Sequence, residues 1–570
     1  MEIGNGMLEG FDLSQIQDER SKELIIRLLN LVESLSADLR EAQQENQRLR
    51  DESARLKGEQ GKPNIKANVS SGPRNYSSEK ERKGGKGEQE SKASGAEPQA
   101  PKQQRVRIDR EEVLPVDRAG LPADAQFKGH EDVLVQDLIF RTDNVLFHKE
   151  KFYSPSEQKT YLAEMPRGYQ GQFGPQLKAF VWVQYFAAQV SEPKIVELLA
   201  SAGIIISEAA VSNLLIKQQK SLDEEKAEIV RAGLASSPWQ QTDDTGTRVN
   251  GVNQHCHILC NPLYTAFFTQ RKKDRLSVID VLANAQERRY LFNERAVAYV
   301  QQKQPISQRL VEAVRQLQSS AVLDEAGVEQ AISEQLGPVS EQQQKLIKEG
   351  ARIAAYHEAE KLAVVKLLVC DDAGQSKGIT EEIALCWVHD GRHYKKLLPV
   401  IEYHRQLHGD FMRQYWDYYH QLVKYKQSPT KEAAARLEHR FDELFGTPTG
   451  YEALDQRIEK TREKKTNLLA VLRHPEVPLH NNAAELGARA RVRKRDVSFG
   501  PRTAEGVRAW DTGMTIVETA KKLGISVYEY IKDRVSGARQ MPSLAEIIRE
   551  KAQHLCLGAS WESESGSPNF

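Results

Sequence analysis

Apolar residues follow a seven-residue repeat near the start of the chain. The first repeat position carries Ile25, Val32, Leu39, Asn46 and Ser53, and the second carries Leu28, Leu35, Ala42, Leu49 and Leu56. β-Branched residues early at the first position, mostly leucine at the second and one asparagine favour a parallel two-stranded coiled coil. We therefore predict a dimerisation helix within residues 1–57. The alternative is a single amphipathic helix lying on the rest of the protein.

Large apolar residues almost disappear over residues 58–107, where Gly, Ser, Pro, Gln and Lys dominate. Such a stretch buries too little surface to offset chain entropy, so we predict a disordered linker. Apolar and polar residues then alternate at 133–140, 144–148 and 160–162. This alternation predicts short strands, and hence a small β-rich domain over residues 108–172.

Helical spacing returns at residue 173, and the pattern predicts helices over 173–190, 192–201 and 208–218. A tight Gly-containing turn separates the last two. Helix, turn and helix are typical of a helix-turn-helix, so residues 173–235 form a predicted DNA-binding region. The second helix would present Ser212, Asn213 and Lys217. The alternative is that the helix pair simply packs in a core.

The next part of the chain predicts a sheet. Strands are expected at about 240–249, 253–260, 265–271, 364–370 and 383–388, and a helix follows the third strand. Helical insertions are predicted at about 284–362 and 394–473. This order predicts an α/β fold with a ribonuclease H-like catalytic core over residues 236–510, followed by C-terminal helices and a tail over 511–570.

The overall composition limits the possible cellular compartment and the kind of DNA-binding surface. The 570 residues include 80 basic and 80 acidic ones, so any DNA-binding surface must be a local patch. Five cysteines form no disulfide framework and favour a reducing compartment. The N-terminus lacks the pattern of a secretory signal, and no apolar run is long enough to span a membrane. We expect a cytoplasmic, nucleoid-associated protein without a membrane partner.

Acids at strand ends carry the candidate chemistry. Asp243-Asp244 lie in the first predicted strand, Asp371-Asp372 end the fourth, and Glu485 lies on a late helix. Two divalent cations need carboxylates that converge from separate elements, and a sheet edge crossed by a helix supplies them. Successive strand residues point to opposite faces, so one member of each pair can face the metals. The two-residue period does not say which.

The motifs resemble the IS66 family of DDE transposases from about residue 173 to residue 535. The resemblance is carried by Asp243-Asp244-Thr245, by Cys386-Trp387-Val388-His389, by His480-Asn481-Asn482-Ala483-Ala484-Glu485, and by the blocks at 493–500 and 518–525. It implies that Asp243, Asp371 and Glu485 are the catalytic metal ligands, with two magnesium ions that manganese can replace. It also implies DNA strand cleavage and transfer, acting on terminal inverted repeats and target DNA, with accessory proteins of the same element as further partners.

Two departures from the family pattern matter. His480 stands where the family has an aspartate. Family members often carry a cysteine-rich zinc segment upstream, but no cysteine precedes Cys256, so we predict no zinc. Cys386 and His389 have ligand-like spacing without a second pair. His389 is expected to support the acids or a phosphate from the second layer around the site.

A basic segment after Glu485 is the predicted DNA surface. Arg489 lies one helical turn past Glu485, where it could orient the carboxylate or hold a phosphate. The remaining predicted DNA-binding residues of the segment are Arg491, Arg493, Lys494, Arg495 and Arg502. Two alternatives stay open: a ribonuclease H-like nuclease or resolvase, and a non-catalytic DNA-binding protein derived from a transposase.

Overall fold

A computed structural model describes residues 16, 18–56, 108–117, 120–122, 124–169, 171–217, 220–303, 307–319, 321–360 and 362–564. The predicted linker lies outside these ranges. The protein is of the mixed α/β class, and helices outnumber strands in the described ranges. Along these ranges none of the helices combines the length and the apolar composition that crossing a membrane requires.

Seven strands are described, in two sheets. β1 (Lys151–Ser154) and β2 (Lys159–Leu162) form a hairpin. The larger sheet has the order β5-β4-β3-β6-β7, with the strands β3 (Trp239–Val249), β4 (Val252–Asn261), β5 (Tyr264–Gln270), β6 (Leu367–Cys370) and β7 (Glu382–Leu385). β3, β4 and β5 are antiparallel neighbours, whereas β6 and β7 run parallel to β3. The five predicted strands of this sheet are confirmed.

Helices before and within the sheet follow the predicted spacing. They are α1 (Glu19–Leu56), α2 (Pro175–Phe186), α3 (Glu192–Ser201), α4 (Glu208–Ile216), α5 (Lys220–Ala235), α6 (Arg275–Leu282), α7 (Glu294–Gln301), α8 (Gln308–Gln316), α9 (Glu325–Leu336) and α10 (Glu341–His357). Side-chain hydrogen bonds cap the N-terminal ends of several helices. The Ser207 side chain accepts from the Ala210 N–H at the start of α4, and the Asp274 side chain accepts from the Ser277 N–H at the start of α6. Helices α7 to α10 are the first predicted insertion.

The remaining helices are α11 (Trp387–Tyr394), α12 (Glu402–Gln427), α13 (Lys431–Gly446), α14 (Glu452–Arg462), α15 (Lys465–Leu468), α16 (Ala470–Arg473), α17 (Asn482–Ser498), α18 (Ala504–Leu523), α19 (Val527–Ser536), α20 (Leu544–Leu555) and α21 (Ala559–Glu564). Of these helices, α12 to α16 form the second predicted insertion, α11 and α17 flank it, and α18 to α21 lead into the C-terminal part. A 3-10 turn spans Gly374–Ser376.

An aromatic core joins the second insertion to the sheet. Trp387 is fully buried, and its ring lies 5.5 Å from each of the rings of Tyr415 and Tyr418 in α12. Its indole N–H donates to the Leu468 carbonyl at 2.9 Å. Because Trp387 is the first residue of α11, this packing fixes the start of the helix that carries His389.

Helix α1 docks on the second insertion through one face. The buried carboxylate of Glu33 accepts from the N–H groups of Val400 (2.6 Å) and Ile401 (3.1 Å) at the start of α12, and it contacts His404 Nδ1 at 3.2 Å. The repeat residues Leu28, Leu35 and Leu39 lie away from this contact and are exposed. The predicted helix is therefore confirmed, and the coiled coil stays a prediction.

Two of the three strands predicted over residues 108–172 are wrong. Residues 133–140 and 144–148 form no strand, and Val135, Leu138 and Ile139 are at least 78% exposed. The third prediction corresponds to β2 of the hairpin. Alternation is a local signal, whereas a strand also needs a hydrogen-bonding neighbour and a core to cover, and this segment supplies neither among its described residues.

Candidate active site

Two of the predicted acids lie side by side at the edge of the large sheet. β3 and β6 are parallel neighbours, with Gln241 opposite Val369. Continuing both chains by two residues brings Asp243 level with Asp371. Asp243 lies within β3, which continues to Val249, and Asp371 directly follows the last residue of β6. The parallel register therefore brings these two residues next to each other on neighbouring strands.

Helix α17 brings the third acid to the same edge. The Asn481 side chain donates to the Thr242 carbonyl at 2.6 Å, and the Asn481 N–H donates to Cys386 Sγ at 3.3 Å. Six residues further, a Cβ on Gly487 would lie only 2.9 Å from Ile258 Cγ2 of β4, so glycine permits the close approach. Glu485, between these two anchors, is buried.

Electrostatics show that the three acids share one environment. Burial, together with the smaller effects of the charges of Asp244, Asp371 and Glu485, raises the pKa of Asp243 to about 7. The Asp244 N–H, which donates to Asp243 Oδ1 at 2.8 Å, opposes this shift. The charged groups that act on Asp243 are thus other acids, which is the arrangement expected of a cation site. We call Asp243, Asp371 and Glu485 the inner acids.

The second member of each tandem pair lies with lysines instead. Asp244 Oδ1 is 2.8 Å from Lys273 Nζ. Asp372 contacts two lysines, with Oδ1 at 2.8 Å from Lys377 Nζ and Oδ2 at 2.5 Å from Lys464 Nζ. Burial raises the pKa of Asp372, but the hydrogen bonds from both lysines outweigh it and leave this pKa below its usual value. We call Asp244 and Asp372 the outer acids.

Two arginines and one histidine surround the carboxylate of Glu485. Arg392 Nη2 lies 3.2 Å and Arg489 Nη2 3.4 Å from Glu485 Oε2, and His389 Nδ1 lies 3.7 Å from Oε1. Arg392 Nη1 is also 2.9 Å from His389 Nε2. A guanidinium only donates, so we assign Nε2 as the acceptor and the proton of a neutral imidazole to Nδ1, facing Glu485. Burial lowers the pKa of His389, consistent with a neutral ring.

The cysteine of the Cys-x-x-His pair lies beside the same glutamate. Donor atoms of Cys386, His389 and Glu485 lie within 4.8 Å of one another. Burial raises the pKa of the Cys386 thiol to about 11, and its sulfur accepts the Asn481 N–H. The sulfur therefore acts here as a buried acceptor that connects the starts of α11 and α17.

Two residues predicted to bind DNA lie in the core. Arg491 contacts Asp511 Oδ1 at 3.4 Å and donates to Thr269 Oγ1 at 2.9 Å. Lys494 donates to the Tyr185 carbonyl at 2.6 Å, and burial lowers its pKa to about 7. Both residues are fully buried, so neither can reach a phosphate in this structure. They share α17 with Glu485 but belong to its opposite, inward face.

The other residues of the basic segment differ in their surroundings. Arg493 and Arg502 are exposed. Arg495 donates to the Gly246 carbonyl in β3 and lies 3.6 Å from Asp496. Of these residues, Arg493 and Arg502 have the solvent exposure that the prediction assumed for the whole segment.

The helix pair α3 and α4 has the predicted outline, with a glycine turn between the helices. Asn213 and Lys217 are exposed at the C-terminal end of α4. Ser212 instead forms a side-chain hydrogen bond with Glu192 at the start of α3. Ser212 thus holds the two helices together, whereas the DNA-reading role of the exposed pair stays a prediction.

Sequence reasoning missed four cations near the acids. Arg392 follows His389 by three residues on α11, and that helical spacing was a usable signal. Lys273, Lys377 and Lys464 come from three separate connections, and no sequence pattern links them. Their grouping depends on tertiary structure alone.

Comparison with known proteins supplies the family. Residues 367–509 match the model of the transposase IS66 family. The chain is also 30% identical over 325 residues to the uncharacterized protein y4jO of Sinorhizobium fredii, a match that covers 57% of this chain and 100% of that protein. The chain belongs to the IS66 family of transposases. IS66 membership implies a DNA-processing, DNA-binding protein. The matched region contains Asp371, the Cys-x-x-His pair and Glu485, whereas Asp243 precedes it.

Proposed function

We propose that this IS66 protein is a DDE transposase that cuts the ends of a mobile element and joins them to target DNA. The observation that carries the proposal is the convergence of Asp243, Asp371 and Glu485 at one sheet edge, from β3, the end of β6 and α17. The strand order β5-β4-β3-β6-β7, with three antiparallel and two parallel strands, supports a ribonuclease H-like core.

The inner acids fit a pair of hard divalent cations. Each contributes carboxylate oxygens. The raised pKa of Asp243 reflects its burial first and then the charges of the neighbouring carboxylates. We assign Asp243, Asp371 and Glu485 as the residues that would hold two magnesium ions, with manganese as a substitute. Bound metal would supply Lewis-acid stabilisation of the attacking and leaving oxygens of the phosphodiester.

The surrounding side chains prepare the inner acids for that role. Arg392 donates to both oxygens of Glu485, Arg489 donates to Oε2, and His389 lies near Oε1, so the carboxylate is held in one orientation. Arg392 and Arg489 are each about 41% exposed and can also contact a phosphate near Glu485. The chain needs no serine or tyrosine nucleophile, because water and then the freed DNA hydroxyl are the attacking groups.

Replacing Asp243 with Asn tests the proposal. The amide keeps the size of the side chain but loses the charge, so magnesium-dependent cleavage and strand transfer should fall by at least about 1,000-fold. Binding to element-end DNA should persist. Supplying pre-cleaved ends separates a transposase from a nuclease or resolvase, since only the former joins them. Unchanged cleavage in the variant would refute the assignment of Asp243.

We propose in addition that the protein acts as a dimer through α1. Ile25, the first residue of the repeat, packs in the cluster of Leu29 and Ile401 that docks the helix. The later repeat residues Leu28, Leu35 and Leu39 are exposed and leave that part of the heptad face open to a second copy. Sedimentation of a Leu28→Lys, Leu35→Lys variant should show a monomer. A persistent dimer would place the interface elsewhere.

A further inference from the structure

We propose that the outer acids anchor three lysines, and that these lysines bind the DNA backbone near the inner acids. We call Lys273, Lys377 and Lys464 the lysine rim. The inference rests on the proposed function and deepens it, because it assigns the phosphate-binding residues of the same site.

The lysine rim comes from three separate parts of the chain. Lys273 lies between β5 and α6, Lys377 follows the 3-10 turn after β6, and Lys464 lies between α14 and α15. Asp244 contacts the first at 2.8 Å, and Asp372 contacts the other two at 2.8 and 2.5 Å. Each outer acid directly follows an inner acid in sequence. Asp371 and Asp372 directly follow the last residue of β6, so the ion pairs of Asp372 hold Lys377 and Lys464 close to the site. Asp244 lies inside β3 and points away from Asp243, so it holds Lys273 at the other face of that strand.

Exposure separates the lysine rim from the buried cations of α17. The side chains of Lys377, Lys273 and Lys464 are 49%, 38% and 20% exposed, whereas that of Arg491 is 1% exposed. An ammonium group has three N–H donors, so one contact with a carboxylate leaves others for a ligand. Asp372 with its two lysines also carries one net positive charge. The rim can thus donate to an anion while it remains anchored.

A phosphate backbone is the ligand class that this arrangement needs. The inner acids repel a polyanion, and cationic side chains near them would lower that repulsion in addition to any bound magnesium ions. Contacts to phosphates position DNA without reading its sequence. The segment after Glu485 cannot fill this role completely, because Arg491 and Lys494 are in the core.

Salt-dependent DNA binding tests the rim without requiring catalysis. The full chain is titrated with a fluorescein-labelled random-sequence DNA duplex in EDTA at several KCl concentrations. Each phosphate contact contributes about 0.9 to the slope of log affinity against log salt. Lys377→Gln, Lys464→Gln should therefore make the slope shallower by about 2 and weaken binding.

A matched control removes two lysines of the same kind. Lys521 and Lys532 each form an ion pair with a glutamate on their own helix, at 2.8 and 2.6 Å. Lys521→Gln, Lys532→Gln should leave the slope unchanged. Equal slopes for wild type and the rim variant, or the same change in both variants, would overturn the inference.

A second pair of variants tests the division between inner and outer acids. Asp372→Asn should reduce cleavage while leaving the magnesium concentration for half-maximal rate unchanged, because it loosens the lysines only. Asp371→Asn should abolish cleavage. The reverse pattern would make Asp372 the metal ligand and overturn the inference. If wild type cleaves no DNA but the rim variant changes the salt slope, the proposed function fails and the rim stands.

Discussion

Two faces of α17 carry buried charged residues, and the partners of those residues differ between the faces. Towards the sheet edge, Glu485 joins Asp243 and Asp371, and the charges acting on Asp243 are those of other acids. On the inward face, Arg491 lies with Asp511 and with the Trp510 ring, 4.8 Å from its guanidinium. Lys494 lies over the Tyr185 ring at 3.1 Å. The first face brings several acids together, with Arg392 and Arg489 beside Glu485, whereas each cation of the inward face already has partners within the protein.

This difference distinguishes charged side chains that can bind a ligand from charged side chains that stabilise the fold. A buried cation with an acid, a hydroxyl and an aromatic face as partners gains little from an added ligand. Crowded carboxylates, in contrast, become more favourable when a cation binds. Three predictions address this comparison.

The largest effect is expected for the inward face. Arg491→Met leaves Asp511 buried without its ion-pair partner and should destabilise the protein by about 3–5 kcal/mol. Urea unfolding measures the loss. DNA affinity of the folded protein should not change. Arg493→Met is the control on the same helix: Arg493 is exposed, so stability should hold within about 0.5 kcal/mol. If the Arg491 variant keeps its stability but loses DNA affinity, the structural role is wrong.

A smaller effect is expected where α17 approaches the sheet. Gly487→Ala places a Cβ 2.9 Å from Ile258 Cγ2 and 3.3 Å from Thr265 Cγ2. Either the Ile258 side chain or the helix must shift, which should cost about 1–3 kcal/mol. We expect the cleavage rate to fall as well, because a shift of the helix moves Glu485. Thermal unfolding and a cleavage assay provide the two measurements. Gly409→Ala is the control, since a Cβ on that helical glycine meets nothing within 4 Å. Equal behaviour of the two variants would count against the close packing.

The smallest effect concerns the charge at Asp243. Burial raises its pKa to about 7, so between its ordinary pKa of about 4 and 7 the folded state binds a proton that the unfolded chain releases. The folded state therefore loses stability as pH rises through this window. Asp243→Asn removes that loss. In EDTA, the melting temperature of the variant minus that of wild type should be larger at about pH 8 than at about pH 5, by roughly 2 °C. A pH-independent difference would contradict the shift.

Much of the sheet and its helices could be predicted from sequence because each element has its own period. The strands 239–249, 252–261 and 264–270 and the helix of Glu485 lie within a few residues of their predicted bounds. The same reasoning produced two wrong strands over 133–148. The pattern there is equally regular, but no neighbouring strand and no core cover those residues.

The candidate site was also predicted from the sequence only in part. The motifs pointed to the residues Asp243, Asp371 and Glu485, and helical spacing placed Arg489 beside Glu485. The two-residue period of a strand could not choose between the members of each tandem pair, because it fixes that they diverge but not which face meets the site. In the structure the first members, Asp243 and Asp371, lie near Glu485, and the second members, Asp244 and Asp372, form ion pairs with lysines.

By itself the sequence determined the elements, the positions of the acids in them and the family resemblance, because these depend on residue type and spacing along one segment. Tertiary structure alone decided that Arg491 and Lys494 are core residues and that Lys273, Lys377 and Lys464 gather near the outer acids. Burial and charge pairing depend on which distant segments meet, and a charged residue has the same appearance in sequence whether its partner is another side chain or a ligand.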